Sequence, residues 1–218
     1  QRLDEWKRHG YDFMSVFDPR FPGQLRMTID VPPFLFASGT IIPNETAVSV
    51  VGSRACTPEG AQFAIDCAHM LTKRGIGVIA GLAKGIDTFA HKTALADGGE
   101  PSRSSAPAST VSTRRRTATC RNASKTKARA VPVHAGAEPT RQTFPMRNAL
   151  MSGYGIAPHR RRERTLRHSH TARQAQRHGR PVILNHTVMD GTQWGRELAD
   201  KPGVYVVRDA SGASDALD

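Results

Sequence analysis

AVSVVGSRACTPEGAQFAIDCAHMLTKRGIGVIAGLAKGIDTFAHKTALADGG, running from Ala47 to Gly99, is the stretch that decides the fold. An apolar run, Ala47 to Val51, opens onto Gly52-Ser53-Arg54, and Pro58 then begins a helical pattern. A second apolar run, Gly77 to Ala80, opens onto Gly81-Leu82-Ala83-Lys84-Gly85-Ile86-Asp87 and a second helical pattern. Two successive strand–glycine loop–helix units are the recurring part of a parallel α/β sheet. Both loops fall at strand carboxyl ends, where such sheets take ligands.

The helix grammar agrees. Thr57 suits an N-cap, Pro58 the first turn and Glu59 the positive helix end. Phe63, Ala64, Cys67, Ala68 and Leu71 form one apolar face, and Gly75 is the expected left-handed terminator. The second helix is expected from Asp87, as its cap, to Ala96, ending at Gly98-Gly99.

Outward from this stretch the text is less regular. Residues 1–43 read as an N-terminal extension packed on the main domain: a short helix (Leu3 to His9), a helical turn at Gln24–Met27, and an apolar strand at Phe34–Phe36. Gln1 followed at once by helix-like text suggests a start upstream. Residues 44–210 read as the main domain, with a helical stretch near Gln174–His178, a buried strand at Val182–Leu184, a helix at Thr192–Ala199 and a last strand at Val204–Val207. Residues 211–218 read as a frayed tail.

The net charge is +12 over 218 residues. Residues 100–136 hold eight Lys/Arg and one Glu, and residues 158–178 hold seven Arg and one Glu. Outside those two tracts acidic residues slightly outnumber basic ones, so the excess describes the tracts and is weak evidence for a nucleic-acid surface. Residues 100–136 also contain no Leu, Ile, Phe, Met, Trp or Tyr, too little to build a buried parallel strand. Three widely spaced cysteines (Cys56, Cys67, Cys120) form neither a disulfide framework nor a zinc pattern and read as free thiols. With no apolar run near the roughly 20 residues of a membrane span and no leader, the expectation is a cytoplasmic protein without membrane association.

Three motifs carry chemistry. Gly52-Ser53-Arg54 lets backbone approach an anion, with Ser53 as donor and Arg54 as fork; a plain turn with a surface arginine explains it equally well. It is neither a dinucleotide fingerprint nor a P-loop. In Gly81-Leu82-Ala83-Lys84-Gly85-Ile86-Asp87, two glycines bracket Lys84 and place it beside Arg54. Asp87 reads as a helix cap and His91 as a structural histidine. Phe144-Pro145-Met146-Arg147-Asn148, before Met151-Ser152-Gly153, puts Arg147 and Asn148 on a proline-ordered turn leading into a helix.

In this order the three motifs resemble the DNA-processing protein A family (DprA, also called Smf). So does Asp18-Pro19-Arg20-Phe21-Pro22 with Leu25, Pro32-Pro33 and Leu35-Phe36. The resemblance covers roughly residues 10–99, 137–157 and, weakly, 174–207. It implies an extended Rossmann-like, doubly wound, mostly parallel α/β sheet and a homodimer that binds single-stranded DNA and loads the RecA recombinase on it during natural transformation. By that resemblance Gly52, Ser53, Arg54, Gly81, Lys84, Gly85, Arg147 and Asn148 line the DNA/phosphate-binding pocket. No catalytic residue, metal or cofactor is implied, so the expectation is a binder and not an enzyme.

The family pattern would place a strand with a GTG-x-D loop within 100–136, and a strand with a Val-Glu-Ala end near 158–170. Neither is present. Both tracts have the composition of out-of-frame translation of a GC-rich gene, and on that reading segments 100–136 and 158–171 are frameshifted, aberrant or disordered, and do not form their expected strands. The rival functions are a nucleotide-binding or nucleoside monophosphate phosphoribohydrolase-like enzyme on a related fold, whose Pro-Gly-Gly-x-Gly-Thr loop is missing here, and an inactive frameshifted remnant.

Overall fold

The computed structural model describes residues 4, 7–8, 11–38, 46–81, 83–98, 129–131, 143–154, 157–160 and 167–218. Asp4, Lys7 and Arg8 are helical. Strand β1 (Asp12–Ser15) is followed by a helical turn α1 (Gly23–Arg26) and strand β2 (Phe34–Ser38). β1 and β2 pair antiparallel with Phe13 opposite Phe36, and the rings of Phe13, Phe34 and Phe36 meet at centroid distances of 5.5–5.9 Å. The turn and β2 match the sequence expectation. β1 was hidden because Asp12-Phe-Met-Ser15 is too short to show an alternation.

The run Ala47–Gly52 forms β3 (Ala47–Ser49) and β4 (Val51–Gly52), and leads through a loop to α2 (Pro58–Lys73). Then come β5 (Gly77–Ile79), α3 (Ile86–Ala96), β6 (Arg129–Val131), α4 (Thr143–Tyr154) and β7 (Ala157–Arg160). After these follow α5 (Arg167–Arg177), β8 (Val182–Asn185), α6 (His186–Gly191), α7 (Gln193–Ala199), β9 (Val204–Val207) and α8 (Ala210–Asp215). β3 pairs with β5, while β4 pairs with β7, which continues to β8 and β9, every pairing parallel. Val50 joins the two ladders, donating its N–H to Ile79 O at 2.8 Å. The spatial order β5, β3/β4, β7, β8, β9 is an open α/β arrangement of parallel strands whose order of addition reverses between β4 and β7.

Strand alternation sorts the core into two layers. Val48, Val50 and Val78 pack with Ala64, Ala68 and Leu71 of α2 and Ile86, Ala90 and Ala94 of α3. The intervening Ala47, Val51 and Ile79 face Leu150, Met151 and Tyr154 of α4 together with Met14, Phe21, Leu25 and Leu35 of the N-terminal segment. Further along the sheet, Val182 and Leu184 pack on Ala172 and Ala175 of α5, whereas Ile183 meets Phe63 and Cys67 of α2. A period of two in the strands, with helices taking both faces, is what makes the sheet doubly wound. Fully burying one such aliphatic side chain contributes about 1.5–3 kcal/mol.

The helix signals hold at α2. Thr57 Oγ1 accepts the N–H of Gly60 at 3.3 Å, and Gly75 follows the helix with φ +68°. At α3 the expectation is corrected: Gly85, with φ +81° and ψ −132°, stands at the cap and Asp87 lies inside the first turn. A glycine can hold that cap geometry, which frees the carboxylate for other partners. At α4 the expected turn is also corrected, since Arg147 and Asn148 lie within the helix. Pro145 is in its first turn, where a missing N–H leaves no bond unmade.

The two Arg-rich tracts need separate statements. Arg129–Val131 form β6, antiparallel to β2 with Ala37 opposite Ala130, an outer strand of the N-terminal sheet; the rest of 99–136, Cys120 included, lies outside the described residues. The expectation that 158–171 forms no strand is corrected. Ala157–Arg160 run as β7 between β4 and β8, and α5 begins at Arg167; residues 161–166 lie outside the described residues. A ladder is made by backbone groups, so neighbours on both sides place a strand even where its residues are not the usual Val and Ile. The frayed tail is corrected too: Asp209 Oδ1 caps α8 through the N–H of Gly212 at 2.9 Å, and Arg74 bonds Ser214 Oγ at 2.7 Å and pairs with Asp218. Among the described residues no helix is long and apolar enough to cross a membrane.

Candidate nucleic-acid interface

Two of the three motifs are brought into direct contact. The β3–β5 register sets Ser49 beside Ile79, so the loops leaving β4 and β5 emerge side by side at the carboxyl edge. Gly85 then closes on the first loop: a Cβ built on it would stand 2.1 Å from Ser53 O and 2.9 Å from Arg54 Cα. The N–H of Ile86 donates to Ser53 O at 3.2 Å. Only glycine permits this approach, and at its positive φ only glycine is unstrained.

Within the first loop, Gly52 and Ser53 are buried. Ser53 Oγ donates to Ala55 O at 3.0 Å and accepts the N–H of Ala55 at 3.1 Å. It is an internal brace and not an outward donor. Arg54 is exposed and has no hydrogen bond or ion pair among the described residues. In the second loop the N–H of Gly81 donates to Asp87 Oδ2 at 2.9 Å and that of Ala83 to the same oxygen at 3.3 Å. Thr88 Oγ1 donates to Ala83 O at 2.7 Å. His91 Nε2 lies 3.3 Å from Ala80 O and is buried, in keeping with a structural histidine. Lys84, between these anchors, is exposed and has no partner of either kind among the described residues. The structure therefore presents Arg54 and Lys84 on two touching loops.

The third motif arrives from the other face. Ser49 Oγ donates to Met151 O at 2.7 Å, fixing α4 across β3. Tyr154, the last residue of α4, shares a cluster with Ala47 at the amino end of β3 and precedes β7 closely. Arg147 and Asn148 are thus on the part of α4 that runs toward the carboxyl edge. Asn148 is half-buried, and the side chain of Arg147 lies outside what is described. Opposite this edge, a cleft of about 510 Å³ between α5 and α7 is lined by Arg173, Arg177, Glu197 and Lys201. Arg173 pairs with Glu197 at 2.6 Å, and both elements lead into the amino ends of β8 and β9, so the cleft is separate from the loops. Among the described residues no group of His, Cys, Asp or Glu is arranged to hold a metal.

Sequence reasoning missed the anchoring work of Asp87 and Thr88. The available signal was the Gly-Ile-Asp-Thr run after a lysine loop, but an acid following a glycine reads identically as a cap.

The chain is 38% identical over 87 residues to the DNA processing protein DprA of Streptococcus pneumoniae, covering 39% of this chain and 30% of that protein. The matched stretch is thus well under two thirds of that relative's length. The X-ray structure of DNA processing protein A from Streptococcus pneumoniae superposes with a TM-score of 0.83 at 24% identity, covering 97% of this chain and 77% of that one. DNA processing protein A from Helicobacter pylori, whose structure concerns its single-stranded DNA binding mode, gives 0.79 at 18% identity and covers 95% of each. At such identities the superpositions speak for a shared Rossmann-like α/β fold. The family model for DNA recombination-mediator protein A matches residues 12–210, and the chain belongs to that family.

Proposed function

We propose that this protein binds single-stranded DNA through the Arg54 and Lys84 loops and acts as a DprA-type recombination mediator in DNA uptake, a binder and not an enzyme. The observation that carries this is the locking of two glycine loops at neighbouring strand ends, each holding an exposed cation that no described side chain neutralises. Such an arrangement takes phosphates without reading bases. The family membership and the Helicobacter pylori relative's binding mode point the same way. In the same reading, Gly52, Ser53, Gly81 and Gly85 shape the loops, and Arg147 and Asn148 extend the site along α4. The protein is cytoplasmic and a homodimer that hands DNA to RecA, with residues 1–43 as an extension on a 44–210 domain.

The test is binding of labelled oligo-dT over a salt series. Arg54→Ala with Lys84→Ala is expected to abolish tight binding and to lower the salt slope by about 0.7 for each phosphate that is no longer neutralised. Binding that survives this pair but vanishes on deleting residues 100–136 would assign the attraction to the basic tract. Release of base from a nucleoside monophosphate without oligonucleotide binding would replace the reading with an enzymatic one.

A further inference from the structure

We propose that Asp87, assisted by Thr88, is the positioning residue that holds the Ala80–Gly85 loop in a binding-ready shape and keeps Lys84 on its outer side. This rests on the single-strand reading for its consequence but not for its geometry. Asp87 is only 4% exposed, and its Oδ2 takes the N–H groups of both Gly81 and Ala83. Those amides are the ones an anion-binding glycine loop would ordinarily turn toward a ligand. Here an internal carboxylate already occupies them, so these two amides are turned inward and the loop offers an anion its exposed lysine.

The anchoring is two-sided. Thr88 Oγ1 donates to Ala83 O at 2.7 Å, and His91 Nε2 meets Ala80 O at 3.3 Å. Asp87, Thr88 and His91 lie within little more than one turn of α3, so a single rigid helix fixes the loop at both ends. Gly85 then carries that rigidity to Ser53 and Arg54. A loop ordered during folding does not have to be ordered at binding, which is how pre-organisation raises affinity. Removing the carboxylate leaves two inward-facing amides without their acceptor, and the loop rearranges to satisfy them. Lys84 is then no longer held beside Arg54.

The experiment uses the full chain with two readouts. Hydrogen exchange at the Gly81 and Ala83 amides is expected to accelerate in Asp87→Ala and to stay near the parent rate in Asp87→Asn, whose carboxamide oxygen can accept the same bonds. Oligo-dT affinity is expected to fall about tenfold in Asp87→Ala, with Asp87→Asn recovering most of it. Lys84→Ala should cost clearly less in the Asp87→Ala background than in the parent, because the lysine is already misplaced. Unchanged exchange in Asp87→Ala, or in Asp87→Asn an affinity loss as large as in Asp87→Ala, would overturn the proposal, as would full additivity with Lys84→Ala. Accelerated exchange in Asp87→Ala, with a parent chain that binds no oligonucleotide, would support the positioning role while removing the single-strand reading.

Discussion

Gly85 concentrates the residue-scale argument. Its φ of +81° and the 2.1 Å that would separate an added Cβ from Ser53 O leave no place for a methyl group, so Gly85→Ala must push apart the loops that hold Arg54 and Lys84. A loss of about 2–3 kcal/mol is expected in urea denaturation, with weakened oligo-dT binding even in the folded fraction. Ser49→Ala tests the other face. It removes the 2.7 Å bond to Met151 O from a fully buried position and should lower stability by about 1 kcal/mol. Glycines, cations and the Thr57 cap were legible because their types are tied to local backbone shape, whereas the cap of α3 was read as Asp87 in place of Gly85. The partners of Ser49 and Asp87 were not, because a serine in an apolar run and an acid after a glycine carry no mark of what the fold brings to them.

At the scale of elements, α2 was readable from end to end. Its cap, apolar stripe and terminating glycine all sit within the helix or beside it. Thr57→Ala is expected to lower stability by about 1 kcal/mol in thermal melts, since the 3.3 Å bond to Gly60 has no substitute in alanine. β7 was the opposite case. Pro158-His159-Arg160 lacks the apolar run by which a sequence announces a strand, and the segment is placed by backbone pairing with β4 and β8. Element α8 was missed for a related reason: Ala210–Asp215 is polar and small, and only Ala213 of its length is buried, against Val207 and Ile183. Leu184→Ala, in the well-buried centre of β8, should cost about 2–5 kcal/mol.

For the whole molecule, one histidine ties the N-terminal segment to the sheet domain. His178 Nδ1 accepts the N–H of Ile29 at 3.3 Å, while Arg180 reaches Gln24 O at 2.7 Å and Gln174 reaches Asp30 at 3.3 Å. Burial holds the His178 pKa below its ordinary 6.5, with Asp30 opposing and Arg180 and Arg177 adding to the shift. The unfolded chain therefore takes up the proton first. The contribution is fully present above about pH 6.5 and is lost as pH falls below it. Denaturation midpoints between about pH 7.5 and about pH 5.5 should drop more steeply in the parent than in His178→Gln. The partner change at Val50 has a kinetic consequence. β3 finds β5 across the short span Ala47↔Gly77, whereas β4 must find β7 across the far longer span Val51↔His159. Nearby contacts close sooner than distant ones, so the half-sheet of β3, β5, α2 and α3 should gain protection first in pulse-labelled refolding, and the ladder from β4 to β9 later. Simultaneous protection of both halves would argue against this order. A nascent chain would then hold the Arg54 and Lys84 loops together before the rest of the sheet has been made.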